Sequence, residues 1–590
     1  MGIDEQVSAI TAAMRAYGGL ERVLATGAFA DLDSETADAI VAEAARFAEA
    51  ELLPLNRVGD RTHAQFANGI VTTPPGWPDA YRRWTEAGWN GVGSPVECGG
   101  QALPAVVQMA LNEIWNAANP AFAVGPMLSP GAVQALVAHA DDRLKQTYLP
   151  NIVSGTWAVT MNLTEPQAGS DLGALKTRAE PAADGSYRIF GQKIFITYGD
   201  HDLTENIIHL VLARLPDAPA GTYGISLFLV PKMLADGSRN DIAVAGIEDK
   251  LGLHGSPTCT MVFGEAGRGA TGWLVGEPNR GLACMFTMMN QARASVGAQG
   301  IGVAARACRV ALAYAAERRQ GRAPGAPAGS LSPIVAHPDV QRELSGMLTL
   351  TEAARAIGYA CAEAIDLSHA GPEAERAAWG ARASLLTPVA KAFATDSAIA
   401  VASAGIQVHG GAGYIEETGA AQLLRDARIF AIYEGTNGIQ AIDLVTRKLG
   451  LDGGAAMAAV LAEIGAAADR VATANHTAFG RTAVALHRAR DDLAAAAAFL
   501  NEALAADRRA TALAGATPFL RLFGLAFSGA LLANGAVGAH DGARGRAIAL
   551  ARYHAETALT ETRALAAIVI DGSEALEAAA RTLLPQVPAA

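Results

Sequence analysis

The stretch Arg425–Gln440, RDARIFAIYEGTNGIQ, decides how the chain is read. An apolar helical segment leads into it, and the character changes at Glu434, Gly435, Thr436 and Asn437. Asn437 with Gln440 three residues on fits a capping box, which predicts a helix starting there. Glu434 is then expected between two helices, just outside a helix N-terminus, with Ile429, Phe430, Ile432 and Tyr433 before it. Burial raises a carboxylate's pKa, whereas a helix N-terminus lowers it. Two readings fit these residues alone. One is a carboxylate that only caps the next helix, the commoner use of such a residue. The other is a general base working near neutral pH.

The rest of the chain narrows the possibilities. At 590 residues it is too long for one simple core, so three or four domains are expected. Hydrophobic residues make up 51 % and charged residues 18 %, the balance of a folded chain. The formal net charge of -12 argues against nonspecific nucleic-acid binding, which needs basic surface. Cys98, Cys259, Cys284, Cys308 and Cys361 are widely spaced, with no CxxC or His-Cys cluster to suggest a disulfide scaffold or a metal site. Such spacing suits a reducing compartment. The first residues carry early acids and no long apolar core, unlike a secretory signal. Gln6 stands where a myristoylation motif needs Ser or Thr. Phe523 to Ala539, interrupted by Ser528, Asn534 and glycines, is expected to be too short for a membrane span. A soluble cytoplasmic protein is expected.

Helical spacing predicts a helix from about Leu32, capped by Asp33 or Ser34 and ended by Pro54. A short helix and loop follow over Pro75 to Gly100, then helix again from Leu103 to Leu149. Near Trp157 the pattern becomes alternating and β-branched. TWAVTMNLTEP, IIHLVLARL, ISLFLVP, TCTMVFG and GWLVG read as strands, and SYRIFGQKIFITYG as a hairpin with Gly191 near its turn. Helix returns from Gly281 to Ala316, from His337 to Asp366 and from Ala377 to Ala404. LGLDGG (Leu449 to Gly454) reads as a linker, and the Ala-rich remainder as a packed helical appendage.

Three further stretches bear on chemistry. MNLTEPQAGSDLGAL (Met161 to Leu175) ends a strand in a turn whose small residues and hydroxyls let amides approach a ligand. In KIFITYG, alternation places Phe195 and Thr197 on one face and Ile194 and Ile196 on the other. An aromatic beside a hydroxyl could face a flat heteroaromatic ring. In GIQVHGGAGYIEE, a glycine cluster could bring amides to a pyrophosphate. Taken singly, each is more often an ordinary loop, a half-buried strand or a turn. No GxGxxG opens a helix after a strand, since GRGATG (Gly267 to Gly272) runs into the strand-like GWLVG, and there is no Walker A sequence.

In order, TEPQAGSD, KIFIT, ERRQGR, QVHGGAGY and RDARIFAIYEGTNGIQ resemble the acyl-CoA dehydrogenase family of flavoproteins over roughly residues 35 to 450. The resemblance implies an α+β, mostly α fold: a helical domain over 35–155, a middle β-domain over 156–275 and a helical bundle over 276–450. A short extension (1–34) precedes these and a helical extension (451–590) follows. It implies bound FAD and α,β-dehydrogenation of an acyl-CoA thioester. By motif, Glu434 matches the base that takes the α-proton while the β-hydrogen leaves as hydride. Leu163, Thr164, Gly169 and Ser170 match flavin contacts, with Ser170 also near substrate. Phe195, where many relatives have Trp, and Thr197 match the strand facing the flavin ring. Arg318 matches the arginine on the pyrophosphate. Gln407, Gly410 and Gly411 match the loop reaching a neighbouring subunit's FAD, and Thr436 and Asn437 also match FAD contacts.

Arg293 and Gly435 match substrate positions. Some branches place the base just before that arginine, but here the position is Ala292. His254 stands where many relatives have Arg, which weakens any CoA-phosphate contact carried over there; Lys250 could compensate, although a solvated lysine is the commoner case. HGSPTC, HPDVQREL and the C-terminal extension resemble larger bacterial members, including 3-methylmercaptopropionyl-CoA dehydrogenases and broad-range fatty acyl-CoA enzymes. The implied partners are an electron-transfer flavoprotein and a second copy in a homodimer, with no nucleic acid. An oxygen-using acyl-CoA oxidase and a DNA-binding relative share the fold. The acidic charge disfavours the second, and the intact IYEGTN disfavours a silent scaffold.

Overall fold

Asp33 starts the helix Ser34–Phe47, its Oδ1 accepting from the Thr36 amide at 2.7 Å. This computed structural model describes residues 3–585. The helix Ser34–Phe47 does not stop at Pro54 as predicted. Its backbone widens into a π-helical turn at Ala48–Leu52 and continues as Leu53–Thr62. Pro54 falls in the first turn of that second segment, where a missing N–H is tolerated. Two strands that were not expected follow, β1 (Gln65–Ala67) and β2 (Ile70–Thr72), paired as a hairpin. Asn68 and Gly69 between them have φ of 52° and 77°, the conformation a type I′ turn needs.

The chain forms two compact units. One comprises residues 42–295; the other comprises the chain up to 41 and from 296 on, the division falling inside the helix Gly281–Glu317. In the first unit, Phe47 is ringed by Trp84, Trp89 and Trp115 at centroid distances of 6.1–6.2 Å, an aromatic core for the helices. The strands are β3 (Trp157–Asn162), β4 (Arg178–Pro181), β5 (Tyr187–Thr197), β6 (Asn206–Ala213), β7 (Ser226–Pro231), β8 (Ile242–Ile247), β9 (Thr258–Phe263) and β10 (Ala270–Val275). They form one sheet in the order β3-β6-β7-β10-β5-β9-β8, with β4 on β5. Only β3 and β6 run parallel.

The predicted hairpin at Gly191 is instead one continuous strand. β5 pairs with β4 and β10 before Gly191 and with β9 from Gly191 on. A Cβ at Gly191 would lie 2.4 Å from Thr177 Oγ1, so the glycine admits a close strand crossing rather than a turn. β6 and β7 are buried along their whole length, which explains why they read as unbroken apolar runs.

In the second unit the helices Pro338–Ala370 and Glu373–His409 pack along each other. The helix Ala516–Gly538 of the C-terminal extension packs against both. Phe519, Phe523 and Phe527 are fully buried on it, and a Cβ at Gly524 would lie 2.3 Å from Phe393. This helix is 23 residues long, so the expectation that it is too short for a span fails on length. Its most apolar window is 83 % buried within the protein, which accounts for its hydropathy by core packing. The predicted linker is a tight turn with left-handed backbone at Asp452, Gly453 and Gly454.

Candidate active site

Glu434 lies in a break between the 3₁₀ turn Arg428–Ala431 and the helix Asn437–Asp443. Its φ is 54° and that of Gly435 is 85°. Two successive left-handed residues reverse the chain, and the non-glycine one costs on the order of 1 kcal/mol or more unless its surroundings hold it. The helix begins one residue earlier than the predicted capping box. Thr436 is the cap, its hydroxyl accepting from the Ile439 amide at 3.2 Å. Gln440 does not complete a box. Its Nε2 reaches back to the carbonyls of Glu434 (3.2 Å) and Gly435 (3.3 Å). Tyr433 donates its hydroxyl to Gln299 Oε1, and burial pushes that phenol well above its ordinary pKa, with Glu434 adding to the effect.

The neighbours of this break come from the helix Glu373–His409. Lys391 is fully buried there and donates to Gly435 O at 3.0 Å and Asn437 Oδ1 at 2.9 Å. The Asn437 amide then donates to Asp396 Oδ1 (2.7 Å), Thr395 Oγ1 (3.0 Å) and Ala392 O (3.3 Å). Asn437, carried over as a cofactor contact, thus spends its side chain inside the unit. Lys391 was not singled out from sequence. The signal was present: a lone lysine inside the apolar run LLTPVAKAFA, where a solvated face would carry more than one charge.

Farther along the same unit, Gln407, Gly410 and Gly411 are exposed at the end of the helix Glu373–His409. Gly410 has φ of 60°, and a Cβ on Gly410 or Gly411 would meet nothing within 4 Å. The adjacent His409 stacks on Tyr314 at 4.4 Å. Tyr314 lies one turn before Arg318, whose exposed guanidinium donates to Gln320 at 3.1 Å.

In the other unit, the turn after β3 is tied to the sheet. Glu165 Oε1 accepts from Lys193 Nζ at 2.8 Å and from Thr177 N at 3.0 Å, while Oε2 accepts from Lys176 N and Gln167 Nε2 at 2.6 Å each. Lys193 also donates to Leu163 O at 3.0 Å. The lysine is 0 % and the glutamate 3 % exposed. Burial pushes the Glu165 carboxyl up, but Lys193 and the amides outweigh it and hold it down at about 2.

Past Lys193 the predicted simple alternation fails. A bulge between Lys193 and Ile196 adds a residue opposite β9, and Phe195 takes φ of 60° with its ring 59 % exposed. Ile196 turns inward and Thr197 is half-buried. The Ile194 amide bonds Thr164 O at 2.9 Å, so Leu163, Thr164 and Phe195 are brought together. Gly169 and Ser170 lie exposed on the same turn. Beneath, Thr160 Oγ1 and His209 Nδ1 are 2.7 Å apart, and Asn162 donates to Thr160 at 2.8 Å. Burial lowers His209 to about 3 and the nearby His201 to about 4.

Arg293 is buried on the helix Gly281–Glu317, and Ala292 beside it is buried too. His254 is engaged inside the unit. It pairs with Asp60 Oδ1 at 2.9 Å and Lys250 O at 2.7 Å, and stacks on His63 at 4.1 Å. Lys250 is not simply solvated, since its Nζ donates to Ser256 O at 2.8 Å.

Four family patterns cover most of the chain. Three are described as the N-terminal (residues 34–156), middle (160–266) and C-terminal (279–449) domains of acyl-CoA dehydrogenase, and the fourth as acetyl-CoA dehydrogenase C-terminal like (457–580). The chain is 45 % identical to a 3-methylmercaptopropionyl-CoA dehydrogenase of Ruegeria pomeroyi over 85 % of each. It is 38 % identical to a broad-specificity linear acyl-CoA dehydrogenase of Mycobacterium tuberculosis over 76 % of this chain and 75 % of that one. The Caenorhabditis elegans ACDH-11 structure in complex with C11-CoA has the same fold, with a TM-score of 0.76 at 20 % identity over 96 % of this chain and 94 % of that one. The break that presents Glu434, the tied turn beside Phe195 and these matches lead to one assignment: the chain belongs to the acyl-CoA dehydrogenase family.

Proposed function

We propose that the protein oxidises an acyl-CoA thioester to the trans-2-enoyl-CoA with FAD, Glu434 removing the α-proton. The observation that carries this reading is the carboxylate-bearing break itself. Glu434 stands at φ 54°, with its own carbonyl and that of Gly435 both hydrogen-bonded to buried side chains. A base held this way loses little orientational freedom when substrate arrives. The thioester carbonyl acidifies the α-C–H, and the enolate charge that develops needs a donor, a role assigned to the Glu434 backbone N–H. The residues present suit a flavin. Phe195 offers an exposed aromatic face beside the Leu163–Thr164 turn, Ser170 and Thr197 offer hydroxyls, and Gly410 and Gly411 leave room for close backbone approach. When bound, FAD supplies the acceptor for the β-hydrogen as hydride.

For substrate, we favour short thioether or linear acyl-CoAs. The support is the likeness to the Ruegeria enzyme, named for 3-methylmercaptopropionyl-CoA, and to the mycobacterial enzyme, named for broad specificity. Electrons then pass to an electron-transfer flavoprotein. The exposed Gln407, Gly410, Gly411 and Tyr414 suit contact with a second copy in a homodimer. The five free thiols suit a cytoplasmic setting. The test is an anaerobic absorbance titration of the purified protein with a panel of saturated acyl-CoAs. Bleaching of the flavin band by some of them is expected. A flavin that none of them bleaches, or a protein that stays colourless with added FAD, would overturn the reading.

A further inference from the structure

We infer that Lys391 is a positioning residue for the base: it holds the backbone of Gly435 and the side chain of Asn437 so that Glu434 stays in its left-handed conformation. This rests on the reading of Glu434 as the base. The geometry is specific. Lys391 is fully enclosed in the helix Glu373–His409, yet its ammonium sits on a carbonyl one residue beyond Glu434 and on the first residue of the following helix. The chain leaving the Glu434–Gly435 reversal is therefore tied at two points to one helix.

The Asn437 amide lies between Lys391 and Asp396, its oxygen toward the cation and its nitrogen toward the carboxylate. That arrangement admits one amide orientation only. An ammonium placed on the carbonyl of Gly435 and the amide oxygen of Asn437 is a geometric device. It is a good one for fixing a strained backbone, because an ammonium–carbonyl hydrogen bond is stronger than a neutral one. Gln440 Nε2 is the second brace, on the carbonyls of Glu434 and Gly435. Without these braces the reversal can relax toward ordinary φ and swing the carboxylate away from the α-carbon. A displacement of about 1 Å is enough to reduce turnover on the order of 100-fold.

The experiment compares the full-length holoenzyme with its Lys391→Met and Gln440→Met variants and with Glu434→Gln as reference. Three quantities are read: turnover with acyl-CoA deuterated at the α-carbon, KM, and amide hydrogen exchange over residues 434–440 in the flavin-loaded protein without substrate. For Lys391→Met we expect kcat to fall roughly 100-fold with KM within about threefold, a larger isotope effect, and faster exchange confined to this segment. Gln440→Met should repeat the pattern at about tenfold, and it carries the test if Lys391→Met does not fold. Wild-type kcat, isotope effect and exchange in both variants, beside an inactive Glu434→Gln, would overturn the role of Lys391 while leaving the base in place. An active Glu434→Gln would instead remove the base reading, whatever the lysine variants do.

Discussion

Two lysines are buried completely in this protein, and each sits beside a non-glycine residue with left-handed backbone. In the sheet unit, Lys193 is two residues from Phe195 and meets a carboxylate directly, Glu165 at 2.8 Å. In the helical unit, Lys391 donates to the carbonyl of the residue after Glu434 and to the amide oxygen of Asn437. A directly paired ion neutralises itself where it is buried, so the Glu165–Lys193 contact acts mainly on stability and on the shape of the turn. A lysine on carbonyl oxygens orients backbone dipoles, so the two Lys391 bonds bear on the geometry of the break. On the proposed function, the first region faces the cofactor and the second aims the base.

The contrast can be broken most easily at its catalytic end. Glu434→Gln keeps the shape and hydrogen-bonding size of the side chain but removes the proposed base, so turnover should drop about 1,000-fold or more with flavin content and melting unchanged. Loss of flavin or of folding instead would mean that Glu434 serves structure, as Glu165 does. At the other end, Glu165→Ala strands the Lys193 ammonium in the interior and should destabilise the sheet unit by about 3–5 kcal/mol in denaturant unfolding. The double variant Glu165→Leu with Lys193→Met should cost less than either single change, because no charge is left alone. A double variant as damaged as the sum of the singles would mean that the Glu165–Lys193 contact does not act as a neutralising pair.

Acidification sharpens the same comparison. His201 and His209 are held neutral by burial, with folded values near 4 and 3 against an ordinary 6.5. The unfolded chain therefore binds protons that the folded chain does not, and stability falls as pH drops from 6.5, by about 1.4 kcal/mol per pH unit for each histidine, down to about 4 for His201 and about 3 for His209. Glu165 adds to this only below its ordinary 4.5 and down to about 2. Amide exchange of β6 measured across pH 7 to 4 should show the loss beginning near 6.5. A flat profile to pH 5 would contradict the burial of these imidazoles. The smallest effect is expected at the bulge. Phe195→Gly relieves a left-handed residue and should leave stability unchanged or raise it by about 0.5 kcal/mol. Loss of the ring should weaken flavin retention about fivefold to tenfold, roughly one aromatic contact. Dialysis against apo-protein controls reads both.

Much of this architecture was open to reading along the chain. The switch from 3.6-residue to alternating periodicity marked the sheet region, and the break at Glu434 between two helical segments was visible in IYEGTN itself. Local chemistry was misjudged where a partner lay far away. The cap passed to Thr436 because Gln440 was drawn to carbonyls behind it. Gly191 was mistaken for a turn because the close approach of Thr177 belongs to another part of the sheet. The Asn68-Gly69 hairpin carried a clear local signal that went unused.

By itself the sequence determined the helical and strand-forming regions, the candidate base and the small-residue turns, because periodicity, glycine freedom and residue chemistry act over a few positions. Only the tertiary structure decided what holds those groups in place. Lys391 lies 44 residues before Gly435, and Glu165 lies 28 before Lys193. Hydrogen bonds that strain or pin a backbone are made in space by elements remote in sequence, and a buried ammonium chooses its oxygen only after the helices and strands around it have packed.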